Sequence, residues 1–428
     1  MKNQTFNKRA LLLLLLMSGL YFFSYFQRVA IPGTVFNEIQ KEFSASASAV
    51  TALGSIYLLI YAGLQLVIGM LTDRHGGVKI ILLCGLCLCA GSALFPLSGS
   101  LWMLYLSRAL VGVGASGMYL CIIKETDLLF SSRNFVSLVG LFCMIGYSGG
   151  LFGTKPFRLM VDSMGWRPSL LLLAAITVIF LGLTWLAGRA FAVRSPVAAG
   201  QPVRVKLVRV VKNMPAYPLV TAVMINFTLY FSIQAMIGPK FIEDFLKLGA
   251  GESTKYTFIM MLVTVIMMSV SGNLSRLLGN RRKPFMVFGS VNALCAVGLL
   301  LAGTIFRFPA PYFLAGYIML AMSSGLTPVV VSFLKELSPA HLAAMAVGYS
   351  NTLCYVGVAL SAYLIGVILD MFKAQAVQVN GAWVYPAQAY ITIFSVMFCA
   401  AIVSVLAILR SRETKGQSIY ATPGPAAS

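Results

Sequence analysis

Charged residues are scarce in this chain. Asp, Glu, Lys and Arg make up 10% of its 428 residues, against about 25% in an ordinary soluble domain. With 59% apolar residues and a mean hydropathy of +0.87, that scarcity excludes a water-soluble globular protein and a disordered chain. There are only two histidines, and the eight cysteines all lie inside apolar runs. A large metal site and a disulfide framework are therefore not expected. Cys84 and Cys87 have the spacing of a redox or zinc motif, but their stretch is unbroken and apolar, which makes them packing thiols. No Gly-rich loop ending in Lys-Ser/Thr is present to cradle a nucleotide. No soluble catalytic domain is present either. The expectation is a protein that is not an enzyme and needs no cofactor or metal.

What the chain does have is long apolar runs. A bilayer-spanning helix needs about 20 such residues. Twelve spans are predicted, over 10–33, 48–71, 79–98, 101–123, 134–156, 167–188, 217–239, 254–275, 284–306, 311–333, 343–369 and 386–410. Lys2, Lys8 and Arg9 before a leucine run suggest a signal peptide, but the run continues to about residue 33 with no small-residue cleavage site. It is taken as the first span. With the N-terminus in the cytoplasm, 21 basic residues fall on the cytoplasmic side and nine on the other. Basic residues collect in cytoplasmic loops, so both termini are expected inside. The net charge of +20 then reports topology and not nucleic acid.

The longest connection divides the chain. The expected organisation is a six-helix bundle over 1–188, a cytoplasmic central loop over 189–216, a second bundle over 217–411 and a cytoplasmic tail over 412–428. In the loop Arg194, Arg204, Lys206, Arg209 and Lys212 alternate with Val203, Leu207, Val210 and Val211. That pattern suits a short amphipathic helix on an anionic leaflet; a plain solvated linker that follows the charge rule is the simpler alternative.

The two halves repeat. Gly69, Leu71, Thr72 and Gly76 recur as Gly272, Leu274, Ser275 and Gly279 at a constant offset of 203, which pairs Asp73 with Arg276. Gly114 and Lys124-Glu125 recur as Gly325 and Lys335-Glu336 at an offset of 211. Gly140, Gly149 and Asp162 recur as Gly348, Gly357 and Asp370 at an offset of 208. Repeats of this kind, packed about a central cleft, are a hallmark of secondary transporters.

The run Gly69-x-Leu71-x-Asp73-Arg74-x-Gly76 resembles the signature of the major facilitator superfamily, as does Arg108-x-x-x-Gly112-x-Gly114-Ala115. The first departs from the family pattern at its end, where Gly77 and Val78 replace a basic pair. Tyr25-x-x-Arg28 with Gln65 resembles the organic-anion and organophosphate branches. The resemblance implies an all-α membrane protein of twelve transmembrane helices in two six-helix bundles related by an internal repeat. It also implies a multi-pass monomer in a lipid bilayer, the bacterial inner membrane. Proton-coupled drug antiporters of the family carry Gly-Pro-x-x-Gly-Gly in the fifth span. Gly146-Tyr147-Ser148-Gly149-Gly150 stands here without proline, which weakens that alternative.

Charges inside a membrane span are costly and functional by default. Arg28 and Arg108 are two of them. Arg28 is the expected substrate anchor, because a guanidinium offers a fixed fork of donors to a carboxylate or phosphate. The alternative is that it snorkels to the outer interface. Tyr57, Tyr61 and Gln65 repeat at i, i+4 and i+8 and so share one helix face. The repeat-related positions Met260, Thr264 and Met268 are poorer in polar groups. Gln234, Asn226, Asn351 and Tyr355 are the second half's contributors. Arg28, Tyr57, Tyr61, Gln65, Arg108, Gln234, Asn351 and Tyr355 form the expected substrate set. Asp73, Arg74, Glu125, Arg276 and Glu336 form an expected gate of inter-helix ion pairs that exist in one state of the cleft. None of the twelve acids falls near a span centre, so an anion is favoured over a cation. Phosphate is less favoured, because the organophosphate branch pairs its arginine with a second one in the seventh span, where Ala235, Met236 and Ile237 stand. The expected function is a secondary active transporter of a small organic anion, with a proton or counter-ion as coupling partner. The alternatives are a proton-coupled exporter of lipophilic compounds and a non-transporting sensor.

Overall fold

A computed structural model describes residues 8–130, 132–190, 209–339, 342–379 and 382–420. Most of the central loop, with Arg194, Arg204 and Lys206, lies outside the described residues. Among the described residues eleven helices are long and apolar enough to cross a membrane, and a shorter apolar one spans Leu138–Phe152.

The first half runs α1 (Lys8–Ala30), α2 (Phe36–Glu42), α3 (Ala47–His75), α4 (Gly77–Leu97), α5 (Leu101–Leu129), α6 (Ser132–Phe152), α7 (Lys155–Met164) and α8 (Trp166–Ala190). The second half runs α9 (Tyr217–Phe231), a π-turn (Ser232–Ile237), α10 (Gly238–Leu246), α11 (Ala250–Leu277), α12 (Lys283–Phe306), α13 (Ala310–Ser324), α14 (Thr327–Glu336) and α15 (Ala343–Met371). A hairpin of β1 (Val377–Val379) and β2 (Ala382–Val384) and a final helix α16 (Ala387–Leu409) follow. The expected seventh span is longer than its apolar run, because the π-turn carries the helix on to Leu246. The expected tenth span breaks between Ser324 and Thr327.

Local chemistry sets the helix starts. Ser46 accepts the Ala49 N–H at 3.1 Å and Ser100 the Met103 N–H at 3.4 Å. Each satisfies a donor that the first turn leaves open. Without a hydrophobic drive between helices in lipid, small residues decide which pairs approach. A Cβ on Gly146 would fall 2.1 Å from the Tyr21 ring and one on Gly149 2.0 Å from the Phe22 carbonyl oxygen. These two glycines of α6 let α1 lie against it. Gly140 meets nothing within 4 Å.

The chain divides into two compact units. One comprises Met1–Ala199 with Gln234–Phe258 and Ala359–Pro386; the other comprises Gly200–Ile233, Ile259–Val358 and Ala387–Ser428. The first unit thus gathers α1–α8 with segments from the second half of the chain. In the second unit α12 packs on α13 and α16, and α9 on α16. Its buried polar centre is Asn226, which donates to Ser290 Oγ at 2.9 Å and accepts from Ser404 Oγ at 2.8 Å. Asn226 therefore ties three helices together.

Candidate functional site

The site grows from α1. Arg28 stands in its last turn and is 2% exposed. Its Nε donates to the Tyr57 hydroxyl at 3.1 Å. Its guanidinium carbon lies 4.4 Å from the Tyr61 ring centre, 4.7 Å from that of Tyr25 and 5.9 Å from that of Tyr57. A cation over a desolvated ring gains up to about 2 kcal/mol, which helps to keep the charge inside the bundle. Arg28 is thus buried among tyrosines and does not snorkel. Tyr21, Tyr25 and Arg28 follow each other at helical spacing on one face of α1. Tyr147 of α6 sits edge-on to Tyr25 at 4.8 Å, and Tyr119 of α5 lies 6.0 Å from Tyr21. Sequence reasoning missed Tyr119 and Tyr147 as members of this aromatic cluster; Tyr147 lies between the two glycines that bring α6 to α1.

Gln65 stands two turns along α3 from Tyr57 and is 8% exposed; Gln234 in the π-turn is 2% exposed. The side-chain nitrogen of each has no hydrogen-bond partner among the described residues. A buried donor left open costs roughly 1–3 kcal/mol. Local departures from α-helix of this kind are frequent at functional sites. Gln65, Gln234 and Arg28 are buried donors of the first unit.

Arg108, expected among the substrate contacts, is engaged by the protein itself. It is fully buried. Nε donates to the Leu53 carbonyl at 3.2 Å, Nη1 to the Gln27 carbonyl at 3.1 Å and Nη2 to the Ile31 carbonyl at 3.4 Å. Its guanidinium also lies 4.6 Å from the Tyr57 ring centre. It fastens α5 to α1 and α3 and backs the tyrosine that holds Arg28. Asn351 and Tyr355 belong to the second unit, where Tyr355 packs edge-on against Phe227 at 5.3 Å.

A further buried cation escaped sequence reasoning. Lys240 is 1% exposed and pairs with Asp244 at 2.7 Å; it also donates to the Trp383 carbonyl. Asp244 in turn accepts the Tyr385 N–H at 3.0 Å. The pair anchors the chain beside the hairpin. Its i, i+4 spacing was visible, but both residues lay beyond the expected end of the span.

The expected gate divides. Asp73 falls on the last turn of α3, and its side chain lies outside the described residues. Arg74 and Arg276 are exposed. Glu125 is fully buried and accepts the backbone N–H groups of Gly77 at 2.6 Å and Val78 at 3.2 Å, at the start of α4. Glu336 pairs with Arg282 at 3.0 Å, where Arg276 was the basic residue expected in the gate.

A profile of the Major Facilitator Superfamily matches residues 17–362. The chain is 29% identical over 172 residues to the uncharacterized transporter YybO of Bacillus subtilis (strain 168), a match that covers 40% of this chain and 39% of that protein. It is 23% identical over 164 residues to the probable sulfoacetate transporter SauU of Cupriavidus necator, covering 38% of this chain and 37% of that protein. The chain thus spans less than two-fifths of the length of these curated relatives. Among solved structures it is similar to a bacterial homolog of the human lysosomal transporter Spinster, in an inward-facing and unoccupied conformation. That likeness has a TM-score of 0.74 at 17% identity and covers 95% of this chain and 96% of that one. At such identity it is a likeness of fold.

Proposed function

The chain belongs to the Major Facilitator Superfamily and is a multi-pass membrane protein, and from that premise we propose that it is a secondary active transporter of a small organic anion, working by alternating access. One observation carries the anion. Arg28 is 2% exposed within a ring of tyrosines, in a unit where the buried amides of Gln65 and Gln234 hold out donors. A donor-rich, desolvated site is suited to a ligand rich in acceptors, and a carboxylate or sulfonate fits a guanidinium fork. The similarity to a probable sulfoacetate transporter accords with this reading, but it is short and the arginine is the stronger support. We assign Arg28, Tyr57, Tyr61, Gln65 and Gln234 to the ligand and Arg108 to the support of Tyr57. A proton or counter-ion couples the cycle, the protein works as a monomer in a bacterial inner membrane, and both termini face the cytoplasm. Thiol labelling of single cysteines at Gln201 and Tyr420 should place both on the cytoplasmic side.

The test is a thermal-shift screen of the purified full chain against sulfoacetate, lactate, benzoate, sugars, amino acids and lipophilic cations. Stabilisation by organic anions alone is expected. Stabilisation by lipophilic cations with no response to any anion would overturn the anion reading in favour of an exporter. Asp73→Asn is expected to lower the transport rate more than the binding affinity, because its place at the cytoplasmic end of α3 is remote from the ligand. Transport kinetics beside equilibrium binding would check this; a large loss of affinity at an unchanged maximal rate would count against gating.

A further inference from the structure

The first unit contains a contact between segments 323 residues apart. Asp370 stands in the last turn of α15, and its carboxylate meets the beginning of α3. The Ala47 N–H donates to Oδ1 at 2.8 Å and the Ser48 N–H to Oδ2 at 3.0 Å. These are the first two residues of α3, whose N–H groups have no partner within the helix. A carboxylate there also faces the positive end of the helix dipole. One turn back along α15, a Cβ on Gly366 would fall 2.1 Å from Thr51 Oγ1 and 2.6 Å from Ser48 Cα. Further along, Ser55 Oγ donates to the Ala359 carbonyl at 2.8 Å. The outer part of α15 and the first turns of α3 are thus closed on each other by a capped end, a flush glycine and a hydrogen bond.

The internal repeat supplies a second version. Asp162 of α7 is the repeat mate of Asp370, and Gly251, at the start of α11, is the repeat mate of Ser48. A Cβ on Gly251 would lie 3.8 Å from Asp162 Oδ2. The same acid is brought to the same helix start, but there its carboxylate is held by Arg158, at 2.8 Å from Nε and 2.5 Å from Nη2. Both versions join a first-half segment to a second-half segment at the ends of the spans opposite the chain termini.

We propose that Asp370 and the N-terminus of α3 form the latch that holds this end shut during the transport cycle, with Asp162 and α11 as its weaker mate. The proposal rests on the alternating-access reading, since rocking of one repeat against the other must part contacts between halves. A carboxylate on open N–H groups is suited to the task. It biases the closed state, and on opening both partners return to water without leaving a buried charge. A fully buried pair such as Lys240 and Asp244 would not release so readily.

Nitroxide labels at Ser44 and Ala374, two exposed positions flanking the latch, would report its state in the full chain in nanodiscs, on a background without the exposed Cys295 and Cys399. The wild type should give mainly the short distance, with a minor long-distance population. Asp370→Ala should raise the long-distance population about fivefold, in the range that loss of a helix cap allows. Asp370→Asn should give a smaller rise, Gly366→Ala a rise by steric wedging, and Asp162→Asn less than twofold. If Asp370→Ala fails to fold, Asp370→Asn and Gly366→Ala decide. Distributions unchanged from wild type in folded variants would overturn the latch. The readout needs no substrate, so its failure would leave the anion reading standing, and failure of the anion screen would leave the latch standing.

Discussion

Glu125 and Glu336 occupy the same place in the two halves of the repeat and do different work. Glu125 caps α4 directly, with its carboxylate on the N–H groups of Gly77 and Val78. Such close approach needs glycine: a Cβ on Gly77 would fall 2.7 Å from the Cys121 carbonyl oxygen and 2.8 Å from the Glu125 side chain. The corresponding helix α12 is capped by Glu413 from the tail, which accepts the Arg282 and Lys283 N–H groups at 2.9 and 3.1 Å. Glu336 then takes the Arg282 side chain at 3.0 Å and the Thr414 hydroxyl. Where a glycine pair of positions opens the helix start, the resident acid serves as cap. Where basic side chains crowd it, the resident acid binds a side chain and the cap is borrowed from elsewhere in the chain. The departure of Gly77-Val78 from the family's basic pair thus has a physical counterpart.

The largest expected effect comes from removing the resident cap. Glu125→Ala leaves two N–H groups in a buried place without their acceptor and should cost roughly 2–3 kcal/mol of stability, read as a lower melting temperature in detergent. Gly77→Ala should cost about 1–3 kcal/mol through overpacking at the same contact. If Glu125→Ala melts like wild type, the two acids do not differ as described. The borrowed cap should matter less, because its helix start is more exposed. Glu413→Ala should cost about 1 kcal/mol, seen as faster hydrogen exchange at the Arg282 and Lys283 amides with the α4 start unchanged.

The smallest effect is that of pH on the borrowed cap. Burial raises the Glu413 carboxyl, but the N–H groups of Lys415, Arg282, Thr414 and Lys283 outweigh it and hold it below its usual value. A depressed carboxyl contributes stability that is present above the unfolded value, about 4.3, and lost as pH falls through the folded one. Exchange protection at Arg282 and Lys283 should therefore hold from pH 7 to about 5 and decline only below about 4. A decline between pH 7 and 5 would contradict this.

Much of the architecture was legible because membrane spans are written in composition: a run such as Leu11–Leu16 cannot sit in water. Arg28 with Tyr25, Tyr57 and Tyr61 was legible too, since a charge in an apolar helix needs a specific environment and helical spacing names the faces. What was not legible depends on which neighbour arrives first. Which backbone carbonyls would meet Arg108 was one such feature: Leu53, Gln27 and Ile31 accept from it. Arg276 is exposed, and it is Arg282, past the turn, that pairs with Glu336. Lys240 and Asp244 were hidden because a π-turn extends the helix beyond its apolar run. Tyr119 and Tyr147 join the cluster through tertiary packing that spacing within one helix does not encode.

We propose above all that Arg28 receives the anionic group of the substrate. The direct test is isothermal calorimetry on wild type, Arg28→Ala and Arg28→Lys, with whichever anion of the screen stabilises the chain most. Losing one partner of a buried charge pair costs roughly 3–5 kcal/mol, so Arg28→Ala should show no measurable binding. Arg28→Lys keeps the charge without the fork and should bind weakly; Gln65→Ala should lose about 1 kcal/mol. Binding to a folded Arg28→Ala at wild-type affinity would contradict the claim.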